Sequence, residues 1–201
     1  MKEREIMKKH LMLSVLLLWP GLGYCADSNG KWSLEKSEID YTVTHPLHVV
    51  HGKSLSAKGE GIRYSDGIWK FLVAVPVRSF TSGDNNRDLH MQEVTKAGIN
   101  PLIKVNVEID KVADQKAPQT LIADAQIEFA GQKADYPKVI LTVLEWKGGE
   151  AHITGTIPLT LKDFAIQPPA LLTVPIKNEV PIVLDMWWNQ GPPKKSEATK
   201  S

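Results

Sequence analysis

The chain has 201 residues, with 24 Lys+Arg set against 23 Asp+Glu. This balance, without any basic stripe, excludes a nucleic-acid binder built on phosphate attraction. The length suits one domain of ordinary size, and an apolar fraction of 42% supports a packed core.

Residues 1–26 stand apart from the rest of the chain. Met1–His10 carries Lys2, Arg4, Lys8 and Lys9, Leu11–Trp19 is an apolar run, and Pro20, Gly21 and Gly23 break it. This charged, apolar, small-residue order is that of a secretory signal peptide. The run is well short of the ~20 residues that span a bilayer. Export is therefore expected, with cleavage after Cys25 or Ala26. Leu22–Cys25 resembles a lipoprotein box, but Tyr24 stands where that box carries a small residue, so lipid anchoring at Cys25 is the weaker alternative. Without residues 1–26 the chain keeps 20 basic and 21 acidic residues and is near neutral. Cys25 is the only cysteine, so no disulfide can form within the domain expected over residues 27–190. Its stability has to come from core packing and strand pairing.

Trp32–Val43 opens that domain with period-two alternation. Ile39, Tyr41 and Val43 share one face, and Glu38, Asp40 and Thr42 the other. After Pro46, Val49–Ser56 resumes an extended pattern, with Gly52, Gly59 and Gly61 expected as turn or bulge positions. Ile68–Val77 predicts a strong strand with Trp69, Phe71, Val73, Val75 and Val77 on one face. At Thr81–Val94 the alternation stops. A polar turn, Ser82–Asn86, leads into a short helix that Asn86 is placed to cap and Gly98 to end. Arg87, Asp88 and His90 fall within one turn of it. They either tie a helix over one end of the fold or line the mouth of a cavity.

Leu102–Ile109 alternates cleanly, with Ile103, Val105, Val107 and Ile109 inward. Leu121–Phe129 repeats the pattern with Ala123, Ala125, Ile127 and Phe129. Val139–Trp146 is an apolar strand, and Lys147-Gly148-Gly149-Glu150 is a tight hairpin signal. His152–Leu161 and Pro175–Met186 complete the set. Between them, Lys162–Pro175 places Phe164, Ile166, Leu171 and Leu172 in a proline-interrupted loop, packed over one end of the fold or forming an apolar lip. Trp187 and Trp188 follow the last strand, and neighbours on a strand cannot both face inward. The stretch 191–201 is polar and Pro-rich and is expected to be a disordered tail.

Eight or nine strands at hairpin spacing mean an all-β sandwich or barrel. Small inward residues such as Ala123, Ala125 and Gly155 leave room inside, as a ligand-holding barrel of about eight strands requires. The order of parts resembles the YceI-like proteins, the periplasmic polyisoprenoid-binding family with a lipocalin-like barrel. The resemblance is carried by Ser37–Tyr41 with His45, by Ser82–Met91 with its Arg-Asp-x-His element, by Ile153–Ile157, and by Phe164–Pro169 with Glu179–Ile182. It spans about residues 32–186. The family's aromatic run after the histidine is replaced here by Met91–Val94 and Ile99–Pro101.

The resemblance implies an antiparallel up-and-down barrel, lipocalin-like, with a short helix at one end. It implies a periplasmic carrier holding a polyisoprenoid or other long-chain lipid, with no further cofactor. Arg87 would meet an anionic head group, Asp88 would orient Arg87, and His90 and His45 would add hydrogen bonds. Trp69, Phe71, Ile127, Phe129, Phe164 and Leu171 would contact the tail.

Two other classes compete. His45, His48 and His51 could bind zinc or copper, although residues three apart on a strand face opposite sides. An enzyme is not expected, because no nucleophile elbow and no retained reactive cysteine is present. Trp187, Trp188 and the proline loop are candidates for an apolar surface that meets a membrane transiently or pairs two copies as a homodimer, and an interaction protein without a transport role is a further alternative.

Overall fold

A computed structural model describes residues 30–110, 112, 116–171 and 173–191, without the side chain of Leu171. The expected signal peptide and nearly all of the expected tail lie outside the described residues. The strands are β1 (Lys31–His45), β2 (His48–Ser54), β3 (Lys58–Arg63), β4 (Trp69–Pro76), β5 (Leu102–Ile109), β6 (Gln119–Phe129), β7 (Gln132–Lys147) and β8 (Glu150–Thr160). A small hairpin, β9 (Ala170–Leu171) with β10 (Val174–Pro175), precedes β11 (Glu179–Gln190), and one helix, α1 (Asn85–Val94), lies between β4 and β5.

Neighbours in sequence are neighbours in the sheet from β3 to β8, β11 follows β8, and β11 pairs back onto β1. β2 and β3 lie on the same side of β1, one against residues 39–45 and the other against residues 31–33, and together act as one interrupted strand. The result is a closed, antiparallel, up-and-down barrel of eight strands with one helix, as the alternation and the resemblance predict. Closure through β11 and β1 leaves neither the first nor the last strand as an open edge, while the outer side of β2 carries the isolated Lys53–Thr81 bridge.

The two ends differ. The β1–β2 turn, α1, the β6–β7 turn and residues 161–171 and 173–178 gather at one end, called here the mouth. The chain enters at Lys31 and leaves at Gln190 at the other end, the floor, where Gly191 N–H donates to the Lys31 carbonyl at 2.9 Å. The floor is filled by aromatic rings. Trp32, Trp69 and Trp146 stand 5.6–5.9 Å apart, and Phe71 meets Trp188 edge-on at 4.8 Å. The indole N–H groups of Trp32, Trp69 and Trp146 are buried without a hydrogen-bond partner among the described residues. At the mouth end, Phe129, Tyr136 and Phe164 stack against one side of the wall. Between these plugs the inward side chains Ile103, Val105 and Val107 are only half-buried although they face the axis. They line a hollow, which the small inward residues Ala123 and Ala125 help to leave open.

Several elements depart from the sequence reading. Gly59 and Gly61 are not turns but inward positions of β3. A Cβ at Gly61 would stand 2.2 Å from the Phe71 ring, and one at Gly59 would stand 2.7 Å from the Trp188 ring. Both glycines are there so that a neighbouring ring can lie across the strand. β7 begins at Gln132 rather than Val139. Ala130 and Gly131, both at positive φ, make a tight turn, and a register shift opposite Ala123/Ala125 accommodates Pro137 where a regular ladder would not. The helix is capped by Asp84, whose carboxylate accepts from Arg87 N–H at 3.0 Å, not by Asn86. Beyond it, Lys96 takes the left-handed conformation expected of Gly98. The last strand starts at Glu179, Pro175 belonging to the small hairpin, and it runs through both tryptophans. Trp188 is buried, while Trp187 stacks on His152 at 4.2 Å with Lys36 Nζ over its other face at 4.1 Å.

Gly61→Val forces a branched side chain into the Phe71 ring, and overpacking of this kind costs about 1–3 kcal/mol. Urea unfolding should show a lower midpoint with an unchanged m-value. Gly98→Ala, whose Cβ meets nothing within 4 Å, should leave the midpoint in place.

Candidate functional site

The hollow has a volume of about 540 Å³ and opens at the mouth. Its wall is aliphatic. Rows such as Val73, Val105 and Ile127, on three adjacent strands, lie side by side in register and all face it. Polar groups reach it mainly at one level, near the mouth, where His45, His48, Arg87, His90 and Thr95 take part in the lining. Arg87 is the one permanently charged side chain among the described residues of the lining. Residues 166–170 of the proline loop close over the same end, with Ile166 buried against the cavity and Pro169 and Ala170 beside it.

Local sequence fixes this mouth. Asp88, at 8% exposure, accepts from Ser82 N–H at 2.8 Å, Ser82 Oγ at 2.6 Å and Thr81 Oγ1 at 2.9 Å. It clamps the turn before α1 onto the helix. Burial opposes its charge, yet these hydrogen bonds, with Arg87 nearby, outweigh burial and hold its carboxyl below the usual carboxylate range. The sequence reading gives Asp88 the task of orienting Arg87. In the structure Asp84 makes that contact, its Oδ2 3.5 Å from Arg87 Nη2, while Asp88 is engaged by three hydrogen bonds from the turn. That contact is long and exposed, so the guanidinium keeps donors for another anion. Close by, burial and the charge of Asp88, opposed by Arg87, raise the Tyr41 hydroxyl above its ordinary value, and the phenol stays neutral.

His45 is buried. Its Nδ1 accepts from Leu47 N–H at 3.2 Å, so Nε2 carries the proton and donates to the Val174 carbonyl at 3.1 Å. With Lys177 N–H donating to the Thr44 carbonyl at 2.8 Å, it fastens the β9–β10 hairpin over the β1–β2 turn. His90 is exposed, with Nδ1 at 3.6 Å from Glu93 Oε2. The His48 ring lies tilted beside that of His45, their centres 5.1 Å apart, whereas His51 points to the outer face and its Nδ1 is 3.1 Å from Thr42 Oγ1. The three histidines do not converge, and among the described residues no group of three His, Cys, Asp or Glu is placed to hold a metal.

Of the expected tail contacts, Phe71, Ile127 and Phe129 line the hollow. Trp69 and Phe164 do not: Trp69 is packed in the floor and Phe164, at 0% exposure, in the mouth-side plug. The Leu171 side chain lies outside the described residues. Strand parity could not separate Trp69 from Phe71, because it reports which way a side chain points and not how far along the axis it sits, and Phe164 lies in a short turn after β8, where parity gives no direction. His48, Thr95 and Tyr41 were missed as lining residues. His48 and Tyr41 follow from the inward parity of β1 and β2. The proline loop and Trp187, grouped as one candidate surface, lie at opposite ends of the barrel.

The fold and cavity define a lipocalin-like barrel, closed at one end and open at the other. No family model and no curated protein matches the chain. Solved structures do share its fold. A polyisoprenoid-binding domain from Saccharophagus degradans, implicated in plant cell wall breakdown, is 13% identical with a TM-score of 0.66, over 80% of this chain and 98% of its own. BcnA from Burkholderia cenocepacia is 14% identical with a TM-score of 0.63, over 75% and 95% respectively. At these identities the likeness is one of fold, and the fold is the one the YceI-like resemblance implies.

Asp88→Asn removes charge-assisted hydrogen bonds worth about 2 kcal/mol together, and the unfolding free energy should fall by that order. The folded-state value of Asp88 is lowered, so its stabilisation is complete above the unfolded value near 3.9 and is lost as pH falls through the folded one. Denaturation titrated downward from neutral pH should therefore lose less stability in the variant than in the wild type.

Proposed function

We propose that this chain is a YceI-like carrier that holds one long-chain amphiphile, its tail in the barrel and an anionic head group at the mouth beside Arg87. The observation that carries this is the asymmetry of the hollow: an aliphatic wall along its length and cationic or hydrogen-bonding side chains at one end. The fold counterpart named for polyisoprenoid binding supports the same reading. Burial of a tail contributes about 0.8 kcal/mol per methylene, and ordering of chain and ligand offsets much of it. Affinity then comes from the tail, and the head-group contacts choose between lipids. Guanidinium suits this task because its planar fork matches phosphate or carboxylate oxygens in pairs. The role is binding without turnover. Placement in the periplasm rests on the order of residues 1–26.

Protein purified without detergent should yield a long-chain lipid on extraction and mass spectrometry. Arg87→Ala should weaken binding of a polyprenyl phosphate about tenfold, equivalent to about 1.4 kcal/mol, and leave the matching neutral polyprenol unchanged. Equal loss for both lipids would remove the head-group assignment. An empty barrel that takes up neither would overturn the carrier reading.

A further inference from the structure

We infer that the Phe71–Trp188 pair is a floor that limits the length of the bound tail, so that the preferred ligand is an amphiphile of about three to four isoprene units and not a longer polyprenyl chain. This rests on the carrier reading. Phe71, Ile109, Ile153 and Trp188 face the hollow on one side and the tryptophan cluster on the other. Beyond them the remaining void is about 10 Å³, the space of a single water and too small for a chain to enter.

Two independent measures agree on the length. The lining residues of β5 run from Ile103 at the mouth side to Ile109 at the floor, roughly 20 Å along the strand at about 3.4 Å per residue. Tilting by about 40° in a closed barrel shortens this to about 15 Å of depth. An extended chain advances about 3.6 Å for every three bonds, so that depth holds about three isoprene units. Volume gives a similar answer: a cavity of about 150 Å³ takes a benzene, and by that scale about 540 Å³ takes some twenty carbons.

The floor is also built into the backbone. Trp188 lies over Gly59 and Phe71 over Gly61, each where a Cβ would collide with the ring. Both rings are thereby held across the axis. Phe71 continues into the indole cluster through Trp69 at 6.1 Å, so the pair has no empty space behind it to retreat into as a tail presses down.

The test is a chain-length series of geranyl, farnesyl, geranylgeranyl and octaprenyl phosphates, titrated against the full barrel by tryptophan fluorescence and checked by native mass spectrometry. Affinity should rise more than about tenfold per added unit up to farnesyl or geranylgeranyl phosphate and then stop rising. Trp188→Ala should move the break to longer chains. Ala125→Phe, which fills the hollow above the floor beside Val107, should move it to shorter ones and does not depend on the first variant folding. Affinity that keeps climbing to octaprenyl phosphate in the wild type, or a break that neither variant moves, would overturn the inference while leaving the carrier reading intact. No binding at any length would remove both.

Discussion

The pairing of β1 with β11 is the constraint on which the rest of the molecule depends. It joins the first and last strands in antiparallel register from Trp32 opposite Gln190 to Tyr41 opposite Ile182. With no cysteine inside the barrel, nothing covalent replaces it. The same strand β1 also carries β2 on one half and β3 on the other, so one fifteen-residue element closes the ring and seats the interrupted strand beside it. An open sheet with these inward residues would collapse its aliphatic face onto itself. Closure holds that face apart, and a hollow can then exist.

The interior is divided by chemistry along the axis. Large rings occupy the floor and one flank of the mouth, branched aliphatics occupy the middle, and hydrogen-bonding groups occupy the rim. Rings bring the most buried area per residue and lie where the barrel must be solid. Valine and isoleucine stay stiff on a strand and form a wall that stands without a partner across from it. The rim is held differently, by short polar networks: Asp88 with Ser82 and Thr81, and His45 with the backbone of the hairpin that covers the β1–β2 turn. Each network uses a buried polar side chain whose hydrogen bonds go to segments outside regular pairing, and so ties the irregular mouth together where strand ladders do not.

Much of this was legible in the sequence. The alternation of β4, β5 and β6 names the inward residues correctly, and the pause at residues 81–94 marks the helix. Three kinds of information were not. Gly59 and Gly61 look like punctuation, since the rings that need their space come from other strands. The first half of β7 was hidden because Lys133, Asp135 and Pro137 break the apolar pattern, while the irregularity that accommodates them shows only in the pairing. The choice of Asp84 or Asp88 for Arg87 depended on which carboxylate the preceding turn had already engaged. For the strand residues of the site, direction was readable and depth was not, and so Trp69 resembled Phe71 on paper although it fills the floor; Phe164, in a short turn, offered neither.

The described chain enters and leaves the barrel side by side at the floor, with Gly191 bonded to Lys31 and the opening at the far pole. Whatever continues from either end therefore holds the barrel by its base, as a cup is held. A tether fixed to a surface through either end would turn the opening outward, toward the space beyond. Anything entering the hollow would then approach from the side away from that surface.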